Sequence, residues 1–196
     1  VESIAVKWDS AYAESEPANT QACAVLAENS YLLPSQGLAL DLACGLGGNA
    51  CFLAAQGLVT EGWDCSGVAL AKLKQYALSK KLNVSVRQCF IGAECFVPSR
   101  FHVIVVSRFL DRTLCDAIIA SLVPGGLLFY QTFTRTKVNE KGPSNRDFLL
   151  ENTELLKLFA PLDVLYYRDN QRIGDTSQGL RNEAQFIGRK QLKSLD

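Results

Sequence analysis

Leu38-Ala39-Leu40-Asp41-Leu42-Ala43-Cys44-Gly45-Leu46-Gly47-Gly48 is the stretch that decides the fold, and it leads directly into a second apolar run, Ala50-Cys51-Phe52-Leu53-Ala54-Ala55. The pattern is a buried strand, a glycine turn and the first turn of a helix, which points backbone N–H groups and a positive helix end at a nucleotide-like ligand. About twenty residues on, where dinucleotide-binding units carry their ribose carboxylate, Leu58-Val59-Thr60-Glu61-Gly62-Trp63 reads as a second apolar strand that stops at Asp64. Asp64 is thereby placed to accept hydrogen bonds from two ribose hydroxyls. Asp41 is the unusual member, a charged residue inside the first strand; nicotinamide-binding strands usually run apolar into their glycines. Its plainer reading is a structural carboxylate capping the turn amides.

Working outward, the bulk properties bound the rest. A chain of 196 residues, 48% hydrophobic with 20 basic and 20 acidic side chains, is expected to form a single domain, 1–196, in which residues 1–36 make an N-terminal helical cap. Zero net charge argues against binding a phosphate backbone, which needs clustered Lys and Arg, so a small molecule is the expected partner and nucleic acid is disfavoured. The seven cysteines include no C-x-x-C pair, which fits reduced thiols in a cytoplasmic protein better than a disulfide framework or a metal site. No run approaches the roughly eighteen apolar residues of a spanning helix, and no signal pattern opens the chain, so no membrane partner is expected. The single histidine, His102, opens a strand away from the expected chemistry, so a histidine-based nucleophilic triad is not expected.

Strand and helix patterns then alternate. Ala69 to Ala77 carries a helical stripe, Asn83 to Gln88 alternates like a strand, and His102 to Val106 is a β-branched run of the kind buried on both faces. Cys115 to Leu122 reads as a helix stopped by Pro124-Gly125-Gly126, and Leu127 to Phe133 as a fifth strand. Thr134 to Arg146 is polar and reads as a lid or substrate loop. Phe148 to Phe159 reads as a helix, and Leu162 to Tyr167 and Ala184 to Gly188 as two final strands. The expected architecture is an α/β Rossmann-like three-layer sandwich, with a seven-stranded, mostly parallel sheet and an antiparallel terminal hairpin.

This order, together with Asp41-Leu42-Ala43-Cys44-Gly45-Leu46-Gly47, Asp64-Cys65-Ser66 and Leu122-Val123-Pro124-Gly125-Gly126-Leu127, resembles a class I S-adenosylmethionine-dependent methyltransferase over nearly the whole chain. Within that class it is most similar to the small tellurite-resistance-type branch, through Gly47-Gly48-Asn49-Ala50, Ser107-Arg108-Phe109-Leu110, Gln131-Thr132-Phe133 and Gly142-Pro143-Ser144-Asn145. The resemblance implies that S-adenosylmethionine is the cofactor and S-adenosylhomocysteine the product. It implies that Gly45 and Gly47 let the chain pass close to the methionine part, Asp64 binds the ribose, and Cys65 lies beside the adenine. Asp41 would organise the turn and reach the cofactor amine through water, with Cys44 and Asn49 of the same motif in the cofactor-binding set. Ser107 and Arg108, at the carboxyl end of the fourth strand, would face the methyl group.

Three positions depart from the pattern: Gly48 stands where relatives carry Arg, Cys89-Phe90-Ile91-Gly92 replaces a third-strand Asp, and Asp111 follows Leu110 where His is frequent. Glu94, or backbone carbonyls in its place, would take over the adenine amino group. Methyl transfer from a sulfonium needs neither a metal nor a strong acid, so no catalytic residue is assigned. The acceptor is expected to be a small molecule, an oxyanion or a thiol, bound by Arg108 and Arg181 through their forked donors, with Glu183 orienting Arg181. Tyr12 and Trp8 of the cap are expected to close over the sulfonium with their aromatic faces. Two other readings stand: an NAD(P)-linked oxidoreductase, because Gly45-x-Gly47-x-x-Ala50 also meets the dinucleotide fingerprint, and a non-catalytic binding module, because of Gly48 and the missing acid.

Overall fold

The computed structural model describes residues 2–192. Its centre is one seven-stranded sheet made of β1 (Leu38–Leu42), β2 (Val59–Asp64), β3 (Val84–Gln88), β4 (Phe101–Ser107), β5 (Leu122–Phe133), β6 (Leu162–Arg168) and β7 (Glu183–Lys190), in the spatial order β3-β2-β1-β4-β5-β7-β6. Strands β1 to β5 pair in parallel, and β7 is antiparallel to both of its neighbours, β5 and β6. The helices are α1 (Glu2–Tyr12), α2 (Ala24–Glu28), α3 (Gly48–Ala55), α4 (Gly67–Ser79), α5 (Cys115–Ser121) and α6 (Glu154–Leu158). No helix among the described residues is long and apolar enough to cross a membrane.

The β-branched run of β4 explains the layering. Successive strand side chains point to opposite faces, so Ile104 and Val106 join the core that also holds Leu40, Trp63, Tyr130 and Phe186, closed by Ile118 of α5 and Leu155 of α6. Val103 and Val105 face the other way, toward Val25 and Leu26 of α2 and Leu53 of α3. Burying both faces is what a continuous apolar strand requires. The chain order reverses between β1 and β4, and beside that switch point open sheets leave a crevice at the carboxyl ends of their strands.

Several expected boundaries move. The expected helix from Phe148 to Phe159 shrinks to the five residues of α6, because Leu150 is drawn into a bridge with Thr134 and into backbone bonds with Phe133 and Arg135. The crossover from β3 to β4 holds a single 3₁₀ turn, Ala93–Cys95, in place of an α-helix. Strand β5 begins before Pro124-Gly125-Gly126, not after it; the pairing jumps from Phe101↔Leu122 to Val103↔Leu127, so the segment with the proline, which has no N–H to donate, bulges out of the ladder.

Candidate active site

Past β1 the backbone turns sharply, with Ala43, Gly45 and Gly47 all in the left-handed region (φ +53°, +50° and +78°). A side chain at Gly45 would lie 2.6 Å from the Tyr12 hydroxyl, so glycine is needed there both for its φ and for the space above it. Asp41 braces the turn: Oδ2 accepts from Ala50 N at 2.9 Å and Oδ1 from Asn49 Nδ2 at 3.1 Å. Asn49 Oδ1 in turn accepts from Cys23 N at 2.9 Å, tying the N-terminal cap to the turn. Burial pushes the Asp41 carboxyl up to about 7, against the pull of the two donors. Asp64 joins two turns: Oδ2 accepts from Gly45 N and Oδ1 from Ser66 N, both at 2.8 Å.

Helix α1 lies across this cradle. Asp9 Oδ1 accepts from Ser66 Oγ at 2.6 Å and from Val68 N at 3.1 Å, while Ser66 Oγ accepts from Ala69 N, so the first turn of α4 is capped jointly by two elements. The Ser66 hydroxyl and the Val68 N–H hold the Asp9 carboxyl below its usual range. At the other end of α1, Lys72 Nζ donates to the carbonyls of Tyr12, Ala13 and Ser15, as a cation suits a helix carboxyl terminus. Tyr12 stacks on Trp8 with ring centroids 5.8 Å apart. Burial, with Asp64, Cys44, Cys65 and Asp41 nearby, pushes the Tyr12 phenol up to about 12, so it stays protonated at neutral pH.

The departure at Gly48 has a steric cause. A Cβ there would lie 2.5 Å from the backbone carbonyl of Gln21, so the cap segment passes where a larger residue would stand. Glu94 lies exposed on the 3₁₀ turn with its carboxylate over Gly92. Cys44 is buried under the turn and Cys65 follows Asp64, half-buried.

On the other side of the switch point, Arg108 follows Ser107 at the end of β4 with φ +54°. Its Nε lies 3.4 Å from Oε1 of the buried Glu183, while 59% of the Arg108 side chain stays exposed. Glu183 Oε2 accepts from Gln131 Nε2, and Gln131 Oε1 accepts from Val25 N at 2.9 Å and from Gln185 Nε2 at 3.1 Å. Since Val25 N can only donate, the Gln131 amide has one possible orientation, and its nitrogen must face Glu183. The expected pairing of Glu183 with Arg181 is therefore replaced by Glu183 with Arg108. Arg181 is turned into its own loop, where it donates to the carbonyls of Asn170, Gln171, Ile173, Asp175 and Gln178. Five carbonyls leave its guanidinium little capacity for a ligand.

Cys23 also reaches this side; burial pushes its thiol up to about 12, opposed by the Leu26 N–H and the nearby Ser107 side chain. Cys23, Asp9 and Lys72 carry no local motif, and sequence reading passed over them. The expected lid from Thr134 to Arg146 is held down: Asn182 accepts from Val138 N at 2.8 Å and donates to Asn139 Oδ1 at 2.6 Å, and Arg172 Nε donates to Lys137 O at 2.7 Å.

A parallel sheet reversed at β1/β4, an antiparallel β7, a glycine cradle after β1 and an acid ending β2 make up the fold of class I S-adenosylmethionine-dependent methyltransferases. Residues 12–178 match the model of the tellurite resistance protein TehB, and the chain belongs to that family. Among solved structures it is similar to TehB from Haemophilus influenzae, at 21% identity and a TM-score of 0.67, over 85% of this chain and 61% of that one. It therefore spans 61% of the length of that relative. A Methanosarcina mazei structure described as a SAM-dependent methyltransferase aligns with a TM-score of 0.65 at 18% identity, over 88% of this chain and 100% of that one. A structure described under the conversion of a disulfide bond into a thioacetal group during echinomycin biosynthesis aligns with a TM-score of 0.70 at 20% identity, over 97% and 94% of the two chains. No curated protein matches this chain in sequence at a significant level.

The cofactor of this class is S-adenosylmethionine, and the residues present fit it. Gly45 and Gly47 bring bare backbone to the turn, with the Tyr12 hydroxyl over Gly45, and the buried carboxylates of Asp41 and Asp64 keep lone pairs beyond the N–H donors they already accept.

Proposed function

We propose that this chain transfers a methyl group from S-adenosylmethionine to a small anionic acceptor, an oxyanion or a thiolate, held by Arg108 beside Ser107. The observation that supports this reading is the Arg108–Glu183–Gln131 chain: a guanidinium fixed from behind by a buried carboxylate, with its outer side exposed one strand away from the glycine cradle. Bound S-adenosylmethionine supplies an electrophilic methyl group on a sulfonium. The protein's contribution is placement. Asp64 takes the ribose hydroxyls, Asp41 the amino end through water, Cys44 and Asn49 line the turn, Cys65 flanks the adenine with Glu94 near its amino group, and Tyr12 closes the mouth.

Arg108 favours the deprotonated, nucleophilic form of an acceptor by charge and by forked donors. Holding that nucleophile in line contributes roughly 7 to 11 kcal/mol without a general acid. Seven free thiols support a reducing, cytoplasmic setting, and one sheet running through the chain supports a single domain capped by residues 1–36.

The test is transfer of tritiated methyl groups to oxyanions, thiols, small aromatics and tRNA. Label should enter the anionic acceptors, and Arg108→Ala should lower kcat/KM for them at least about tenfold, a loss of roughly 1.4 kcal/mol, while S-adenosylhomocysteine affinity stays unchanged. Label on tRNA or neutral aromatics, with Arg108→Ala at full activity, would overturn the acceptor assignment.

A further inference from the structure

We propose that Gln131 is the positioning residue of the acceptor side, holding Arg108 at both ends and locking it to the N-terminal cap. Gln131 is buried on β5, and its main chain and side chain act on the same arginine. Its carbonyl accepts from Arg108 N at 2.8 Å, at the point where Arg108 takes up φ +54°. A residue with a side chain keeps that conformation only where its surroundings hold it. The Gln131 amide nitrogen donates to Oε2 of Glu183, whose Oε1 lies 3.4 Å from Arg108 Nε. The root of Arg108 is thus fixed by the Gln131 carbonyl, and its head, at one remove, by the Gln131 amide.

The other end of the amide reaches the cap. Gln131 Oε1 accepts from Val25 N at 2.9 Å, and two residues earlier Cys23 N donates to Asn49 Oδ1 at 2.9 Å, while Asn49 Nδ2 donates to Asp41 Oδ1 at 3.1 Å. Residues 23–25 therefore bridge the glycine turn and the acceptor side, and one amide closes the acceptor end of that bridge. The place requires an amide. Val25 N can only donate and the Glu183 carboxylate can only accept, so the group between them must accept on one side and donate on the other. A carboxyl at this position meets that requirement only while it holds a proton.

Gln131→Glu turns the requirement into a measurement. Two carboxyls within hydrogen-bond reach share one proton and keep it to higher pH than either would alone. Below that step the pair reproduces the parent's donor and its single negative charge toward Arg108. Above it both carboxylates are charged, they repel, and Glu183 is pushed from its place behind Arg108. The groups facing the pair are Arg108 at the end of β4, the Cys23 thiol before α2, the Tyr166 phenol behind Gln185, and the Arg168–Glu28 pair beside Gln185; Asp41 stands beyond Asn49. All of them are present in the parent, so its comparison with the variant isolates the introduced carboxyl.

The consequence for catalysis rests on the acceptor reading above, so one arm of the test needs no acceptor. In the isotope-labelled full chain, the Arg108 Nε–H resonance, assigned by its loss in Arg108→Lys, is followed from mildly acidic to mildly alkaline pH. In Gln131→Glu it should show a titration step that the parent lacks. Above that step Arg108 Nε–H should exchange at least about tenfold faster than in the parent, while Arg112 Nε–H, held by Glu154, stays unchanged. The second arm measures tritiated-methyl transfer to inorganic selenite and to 2-mercaptoethanol. Gln131→Met, which keeps the bulk and loses both the donor and the acceptor, should lower kcat/KM at least about tenfold with S-adenosylhomocysteine affinity within about twofold of the parent. Gln131→Glu should match the parent below its step and Gln131→Met above it. An Arg108 resonance that follows the parent at every pH, or equal acceleration at Arg108 and Arg112, would overturn the proposal. A titration step at Arg108 together with no transfer by the parent to either acceptor would support the positioning role and count against the acceptor reading instead.

Discussion

Asp41 is a buried carboxyl whose ordinary value of 3.8 is raised to about 7 by burial. Between those values the folded protein holds a proton that the unfolded chain has released. The stability owed to this group is therefore complete below about pH 4, declines as the pH rises, and is gone above about pH 7, with a slope of up to about 1.4 kcal/mol per pH unit. Urea denaturation across that range should show the difference in unfolding free energy between the parent and Asp41→Asn falling to a plateau near pH 7; a flat difference would mean that Asp41 is charged throughout. Under the proposed function Asp64 acts on two levels, because its oxygens hold Gly45 N and Ser66 N and would also take the ribose hydroxyls. Asp64→Ala should weaken S-adenosylhomocysteine binding by about 1.5 to 3 kcal/mol, the worth of a charged hydrogen-bond acceptor, and should lower the denaturation midpoint too. Isothermal titration and chemical denaturation measure the two effects separately. Asp41 and Asp64 both stood out in the chain because a charge inside or ending an apolar strand is a local anomaly. Asp9 did not, since nothing near Trp8 or Tyr12 announces that its carboxylate caps a helix 57 residues away.

Helix α1 depends on its clasps more than on its own sequence. Ile4, Val6 and Trp8 are largely exposed, so little apolar burial holds the helix down, and the attachment falls to Asp9, Tyr12 and Lys72. Lys72→Met should free the carboxyl end of α1 while sparing the Lys72 stem's packing. Amide exchange over residues 3–12 should rise at least about tenfold, equivalent to roughly 1.4 kcal/mol of local stability, with exchange in β4 unchanged; equal acceleration in both would indicate global destabilisation instead. The same element scale explains two misread stretches. Phe148 to Phe159 has the apolar content of a helix, yet Leu150 bonds across to Phe133 of β5, and tertiary pairing overrode propensity. The β3–β4 connection breaks the alternation of strand and helix, passing through a single 3₁₀ turn, Ala93–Cys95.

Across the whole molecule, β7 lies between β5 and β6 and delivers Glu183 and Gln185 to Gln131 and Arg108 from a point more than fifty residues beyond Gln131. Phe186, fully buried, stacks on Phe159 at 5.7 Å, and Phe159 packs on Tyr130 at 5.4 Å. Phe186→Ala should cost about 3 to 5 kcal/mol of stability, read from denaturant midpoints; a cost below about 1 kcal/mol would mean that the site collapses around the gap. Strand alternation, the glycine turn after β1 and the acids at Asp41 and Asp64 could all be read from the chain. Each is written within a few residues by periodicity, turn chemistry and local charge. The partner of Glu183, the inward turn of Arg181 onto five carbonyls and the passage of Gln21 over Gly48 could not. Those contacts form only after long loops close, and which of several chemically equivalent partners a side chain meets is settled by backbone geometry and burial rather than by its neighbours in sequence.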